Sequence, residues 1–233
     1  MGGGASIPKV TDEYIADKKN FIIECTGQVL VEKPLYLITM RDIIKKAGFS
    51  QGVIYRYYQG LDEIYVDFIN QFTANNHLEE RIDTLLYSEQ AEKVILAKCF
   101  IAMGEYIEEV LTSVVGKTLF ELIVLYAYDS DKRATVFPKL KFQQCLGYAR
   151  QRIVEYSLSN IEKGVFQPQI PVRSIILFVS HFIDGIAQSA AIHTEKGISL
   201  ESEPPLNIPD MFQTLAKAVV NFLEAKNDDI KSS

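Results

Sequence analysis

The sequence predicts an all-α protein, and three observations carry that reading. Apolar residues recur every three or four positions in nearly every segment after Thr11, as they do on one face of a helix. Helix breakers fall between these stripes, at Pro34, Gly48, Gly60, Asp129 to Asp131, Gly164 to Pro171 and Gly197 to Pro209. No segment shows the period-two alternation of a half-buried strand.

Taken in order, the stripes define roughly nine helices. Phe21, Cys25 and Val29 mark the first, and Ile64, Phe68 and Phe72 mark a helix over about Asp62 to Asn75. Ile95, Cys99, Met103 and Ile107 mark a longer one. Short helices are expected to crowd the first sixty residues, with longer ones beyond Glu89. Two near the end are strongly apolar, Val172 to Ile192 and Ile208 to Ala225.

The 233 residues, 48% of them hydrophobic and 23% charged, suffice for one large core or a large and a small one. A net charge of -6 argues against a protein coated in basic surface. Residues 1–60 nevertheless hold two more Lys and Arg than Asp and Glu, which leaves -8 for the remainder. A nucleic-acid site, if present, must therefore be local, and the asymmetry needs a motif behind it to place that site in the N-terminal segment. Cys25, Cys99 and Cys145 are odd in number, far apart and set among apolar neighbours, the pattern of buried thiols in a reducing cytoplasm. The greasiest stretch, Leu119 to Tyr128, is interrupted by Glu121 and stopped by Asp129, so no membrane span is expected.

Between Thr39 and Tyr58 the local signals become dense. Thr39 with Asp42 three residues on is a capping-box start, and the helix it opens runs to about Ala47. Gly48 suits the left-handed conformation at a helix C-terminus, Phe49 can plug the core, and Ser50 is the N-cap of the next helix. Two short helices joined by such a turn make a helix-turn-helix, whose second helix presents its first residues to the major groove. In that helix Gln51 can pair with an adenine edge and Val53 can touch a thymine methyl, while Gly52 lets the backbone approach closely. Tyr55, Arg56 and Tyr57 offer donors to phosphates. Thr39, Arg41, Lys46 and Ser50 complete the expected contact set, and Ile54 and Tyr58 face the core.

The uninterrupted string TMRDIIKKAGFSQGVIYRYY, Thr39 to Tyr58, resembles the DNA-binding signature of the TetR family of bacterial regulators (TetR/AcrR-like). The preceding helix, with Phe21, Ile22, Cys25, Val29 and Leu30, resembles that family's first helix. The resemblance implies a DNA-binding domain over 1–60, a connecting helix over 61–77, and a ligand-binding and dimerisation domain over 78–233. It further implies a homodimer that regulates transcription, as a repressor released from a palindromic double-stranded operator by a small molecule; the cysteine pattern places it in the cytoplasm, and the abundance of Phe and Tyr points to an apolar or aromatic effector. Departures accompany it: Gln51, Val53 and Leu61 stand where the family often has Lys, Thr and Lys. Each removes a phosphate donor, so a shallow salt dependence of binding is expected.

In the C-terminal part, Phe100, Met103, Tyr106, Phe120, Tyr126, Phe142 and Phe178 are either ordinary core or the lining of a ligand cavity. Glu121 and His181, polar groups inside apolar runs, are ligand anchors or members of local networks. The last two helices carry more apolar surface than one packed face requires. Phe182 and Ile186, with Met211, Phe212, Leu215, Val219 and Phe222, are therefore expected at a dimer interface.

No catalytic residue, metal site or cofactor is expected. His77, His181 and His193 have no metal-ligand spacing, and neither a phosphate-binding Gly-rich loop nor a G-x-S-x-G elbow occurs. The alternative from another class is a helical small-molecule sensor or carrier without specific operator binding.

Overall fold

A computed structural model of the chain describes residues 11–73, 77–113, 115–193 and 207–224. Every element among them is helical, with no strand, and they divide into two compact units with the break between Phe72 and Thr73. That break falls inside the segment expected to connect two domains.

The first unit contains α1 (Asp12–Glu32), a 3-10 turn (Leu35–Leu37), α2 (Met40–Ala47), α3 (Gln51–Tyr57) and α4 (Leu61–Thr73). At 21 residues α1 is not one of the short helices expected here. Its only internal breaker, Gly27, is tolerated because an added Cβ would already stand 3.1 Å from the Phe68 ring of α4. Pro34 then stops further helix by fixing an extended residue at φ -63° and ψ 149°. Ile22, Ile43, Ile54, Ile64 and Ile69 meet in the core with no exposed surface, joined by Tyr58 and Tyr65. Phe21 and Phe72, read as members of the inward stripes, lie at the margin, 42% and 52% exposed. Phe21 instead packs its ring 5.4 Å from that of Phe49.

The second unit contains α5 (Leu78–Leu86), α6 (Glu92–Thr112), α7 (Gly116–Tyr126), α8 (Ser130–Thr135), a 3-10 turn (Phe137–Lys139), α9 (Lys141–Glu162), α10 (Val172–His193) and α11 (Ile208–Phe222). These described residues therefore form eleven α-helices in all, more than the nine expected, because short helices such as α8 carry no apolar stripe to announce them.

The central helix is α6, which packs against α5, α7, α9, α10 and α11. It buries Leu96, Cys99, Met103, Tyr106, Ile107 and Val110 on more than one side, as a core helix must. Burial pushes the Cys99 thiol up to about 12, which makes it inert. Cys25 is likewise buried, but Cys145 is only half-buried. The most extensive partner of α6 is α11, and Gly104 permits the close approach of Phe212.

Polar contacts fix the remaining helices. Asp83 of α5 accepts from the Tyr148 hydroxyl at 2.6 Å and from Arg152 Nε at 2.8 Å, tying α5 to α9. The C-terminal carbonyls of α11 accept the backbone amides of Gln167 and Gln169, at 2.8 Å from Leu223 and 2.9 Å from Phe222. That loop thus satisfies groups a helix end leaves orphaned.

A Cβ at position 104 would lie 2.6 Å from Phe212 Cβ, closer than packed carbons tolerate. Gly104→Ala is expected to destabilise the protein by about 1–3 kcal/mol through overpacking. A urea midpoint lowered at constant slope would show it, and an unchanged midpoint would contradict the α6–α11 packing.

Candidate nucleic-acid interface and apolar cavity

Each helix of the head is held by the chemistry its sequence supplies. Thr39 caps α2 in a reciprocal box: its Oγ1 accepts from the Asp42 amide, and the Asp42 carboxylate accepts from the Thr39 amide at 2.9 Å. The Lys33 ammonium at 2.6 Å and Thr39 together hold the Asp42 carboxyl at about 2, well below the usual carboxylate range. Gly48 then adopts φ 66°, the left-handed conformation that ends α2 and turns the chain towards α3.

With only seven residues, α3 is too short to persist alone and depends on its anchors. Ile54 and Tyr58 enter the core, 0% and 1% exposed. The Tyr58 hydroxyl donates to Asp67 Oδ2 of α4 at 3.0 Å, and Lys19 of α1 reaches the same oxygen at 3.1 Å. Lys19 Nζ also lies 4.7 Å from the centre of the Tyr58 ring. Burial, with Asp67 beside it, raises the Tyr58 phenol well above its ordinary value, so it stays protonated and donating.

The same anchoring turns the opposite face outward. Gln51, Gly52, Tyr55 and Arg56 are exposed, and Val53 and Tyr57 are half-buried. Ser50 is the N-cap residue but makes no side-chain cap bond, contrary to its expected capping role. Gly52 is informative because a Cβ there would meet nothing within 4 Å. No internal packing therefore calls for a glycine in the first turn of α3.

Two expected contacts already have partners. Lys46 is paired with Glu32 at 2.8 Å, and the Thr39 hydroxyl donates to Asp42 Oδ2 at 2.8 Å. Arg41, Lys45 and Arg56 are exposed and make no ion pair among the described residues.

In the second unit an apolar cavity of about 60 Å³ lies between α9 and α10, closed by α6 and α11. Of the residues expected to line a ligand site, it gathers Phe100 and Met103. The others lie elsewhere. Tyr106 and Phe142 stack on each other in the core, with ring centres 5.6 Å apart. Phe120, Glu121 and Tyr126 sit half-buried on α7, where Glu121 lies 3.8 Å from Lys117. Phe178 is 44% exposed, and its ring meets those of Phe182 and Phe222. His181 is exposed, its Nδ1 2.7 Å from the Leu177 carbonyl oxygen.

The cavity wall that the sequence reading missed comes from α9 and α10: Arg150, Ile153, Ser157, Ile175, Val179 and Ile183 among others. Arg150 Nε is buried there without a hydrogen-bond partner among the described residues, which costs about 1–3 kcal/mol. The sequence did not mark Arg150, since the apolar stripe of α9 runs Phe142, Leu146, Ala149, Ile153 without it.

The expected dimer residues also divide. Phe212, Leu215 and Val219 are buried within the chain itself because α11 uses its apolar face on α6, and Ile186 is buried on α10, which packs against α6, α7 and α11. Phe182, Met211 and Phe222 are half-buried. The exposed apolar side chains of this region are Leu177 and Phe178 on α10 and Val124 and Leu125 on α7.

The fold and the head define an all-helical protein with an N-terminal helix-turn-helix. Residues 22–67 match the sequence model of the bacterial regulatory proteins of the tetR family. The chain is 27% identical over 195 residues to YfiR, an uncharacterized HTH-type transcriptional regulator of Bacillus subtilis, covering 81% of this chain and 87% of that protein. Among solved structures it resembles FadR of Bacillus subtilis in complex with stearoyl-CoA (TM-score 0.56, 16% identity, 88% of this chain and 99% of that one). A TetR regulator from Haloarcula marismortui superposes equally well (TM-score 0.56, 16% identity, 89% and 97% covered). The match to the tetR family thus covers the helix-turn-helix of the first unit, and the second unit shares the helical fold of these structures. No helix among the described residues is long and apolar enough to cross a membrane.

The open space at Gly52 separates reading from packing. Gly52→Ala is expected to raise stability by up to about 0.5 kcal/mol, since the change removes a glycine from the first turn of α3 and meets no neighbour. It should weaken DNA binding at the same time. Urea unfolding and gel shift on one preparation would check both, and undiminished DNA affinity would contradict a close approach of this backbone to the duplex.

Proposed function

We propose that the protein is a homodimeric repressor whose two copies of α3 read a palindromic operator, and that a small apolar molecule in the α6/α9/α10/α11 cavity releases it. The observation that carries the DNA half is the two-sidedness of α3. Ile54 and Tyr58 are locked inward, while Gln51, Gly52, Tyr55 and Arg56 stand outward with no role in the core. Gln51 suits an adenine edge and Val53 a thymine methyl, while Ser50, Tyr55, Arg56, Tyr57 and Arg41 suit phosphates. Thr39 and Lys46 join them by exchanging their present partners for phosphate oxygens.

Pairing of two copies would cover Leu177 and Phe178 of α10, with Phe182, Met211 and Phe222 at the margin. An isologous interface brings two heads into register with half-sites about 34–36 Å apart.

The effector half rests on the cavity. Its volume of about 60 Å³ is less than half the roughly 150 Å³ that an apolar cavity offers to benzene. A ligand must therefore widen it, pressing α10 away from α9. Because α10 also carries the exposed pairing face, occupancy changes the geometry of the dimer. To shift the population from 1:99 to 99:1 the ligand must favour the widened state by about 5.5 kcal/mol. That a molecule of this fold, FadR, is found with stearoyl-CoA supports an occupant with an apolar chain.

Selection from random duplexes with the purified full chain is expected to return an inverted repeat. The log–log salt slope of binding should be about 7 or less in magnitude, because Arg41, Lys45, Lys46 and Arg56 are the cations of α2 and α3 in each head. A slope near 10, or salt-sensitive binding without sequence preference, would contradict the proposal.

A further inference from the structure

The cavity has one feature that an apolar occupant alone leaves unexplained. Arg150 is the only charged residue of its lining among the described residues, and the rest of that wall is aliphatic, aromatic or serine. Its Nε is buried without an acceptor, and the side chain makes neither a hydrogen bond nor an ion pair among the described residues. The contrast with its neighbour on the same helix is direct. Arg152, two residues on, is bonded to Asp83 at 2.8 Å and lies 3.4 Å from both Glu155 and the Tyr87 hydroxyl. Arg152 is how this helix uses an arginine to join helices. Arg150 joins nothing.

A guanidinium presents five donors in a fixed fork, which matches the paired oxygens of a carboxylate or phosphate. At the wall of an apolar cavity that a ligand widens, such a fork suits an anion whose remaining bulk is hydrocarbon. We propose that the ligand of this cavity is an amphipathic anion, with its apolar chain among Met103, Ile153, Ile183 and Val219 and its carboxylate or phosphate group on Arg150. This rests on the reading of the cavity as the effector site and names the chemical class of the effector. Occupation would satisfy the orphaned Nε at the same step that widens the cavity, so polar recognition and expansion reinforce each other.

The test is calorimetric titration of the full-length protein with three probes that share one chain: octanoate, octyl phosphate and octan-1-ol. At least one of the two anions should bind about tenfold or more tightly than the alcohol, and the tighter anion identifies the headgroup. Arg150→Met, which keeps the apolar stem, should bring that anion to the affinity of the alcohol and leave the alcohol within about twofold. Arg150→Lys should retain part of the preference. The thermal midpoint of Arg150→Met should be unchanged or raised, since an unsatisfied buried donor is removed. Equal binding of all three probes, no binding by any, or a preference that survives in Arg150→Met would overturn the proposal. If the alcohol binds as well as the anions, the apolar-effector reading stands and the anion fails. If no duplex is selected, the operator reading fails whatever the probes do.

Discussion

Tyr58 closes α3 with a phenol that is almost wholly buried, hydrogen-bonded to Asp67 of α4 and covered by Lys19 of α1. A helix of seven residues has no stability of its own to set its direction. Its azimuth is fixed where its side chains are fixed, at Ile54 and Tyr58, four residues apart on one face. Everything that α3 offers to a partner follows from that lock. Rotation by one residue would bury Tyr55 and expose Ile54, at the cost of an apolar side chain and a charge-assisted bond together. Gly48, whose positive φ sets the angle between α2 and α3, is the second part of the same constraint.

The second unit is organised by a different one. Here α6 is apolar on more than one side, and α11 covers it through the gap left by Gly104. With α11 committed to α6 and α5 tied to α9 by Asp83, Tyr148 and Arg152, α10 is the helix left facing both an apolar cavity and an exposed apolar surface. In the proposed release, a molecule entering the one acts on the other. Close packing elsewhere in the unit makes such a response discrete.

The head was legible in the sequence because its determinants are local. The Thr39 and Asp42 box, the left-handed Gly48 and the spacing of Ile54 and Tyr58 are all decided within twenty residues. The second unit was legible as helices and opaque as a site. Amphipathicity says that Phe212, Leu215 and Val219 share a face, but not whether α6 or a second copy covers it. Glu121 and His181 stood out as polar groups in apolar runs, yet both runs belong to helices with an exposed side, so water and neighbouring groups serve them. Tyr106 and Phe142 have the composition of a cavity lining and stack in the core. The residue that does stand at the cavity, Arg150, was masked by the arginine beside it in the string Arg150-Gln151-Arg152, whose two charges the sequence alone does not tell apart.

The central claim, that α3 reads sequence, is tested most directly by titrating Gln51→Ala against the selected operator and against duplexes with single base pairs replaced. Discrimination should vanish at one base pair of each half-site, by about 1–3 kcal/mol, and persist at the others. If Gln51→Ala discriminated at every position as the unmodified protein does, the outward face of α3 would not be the reading surface.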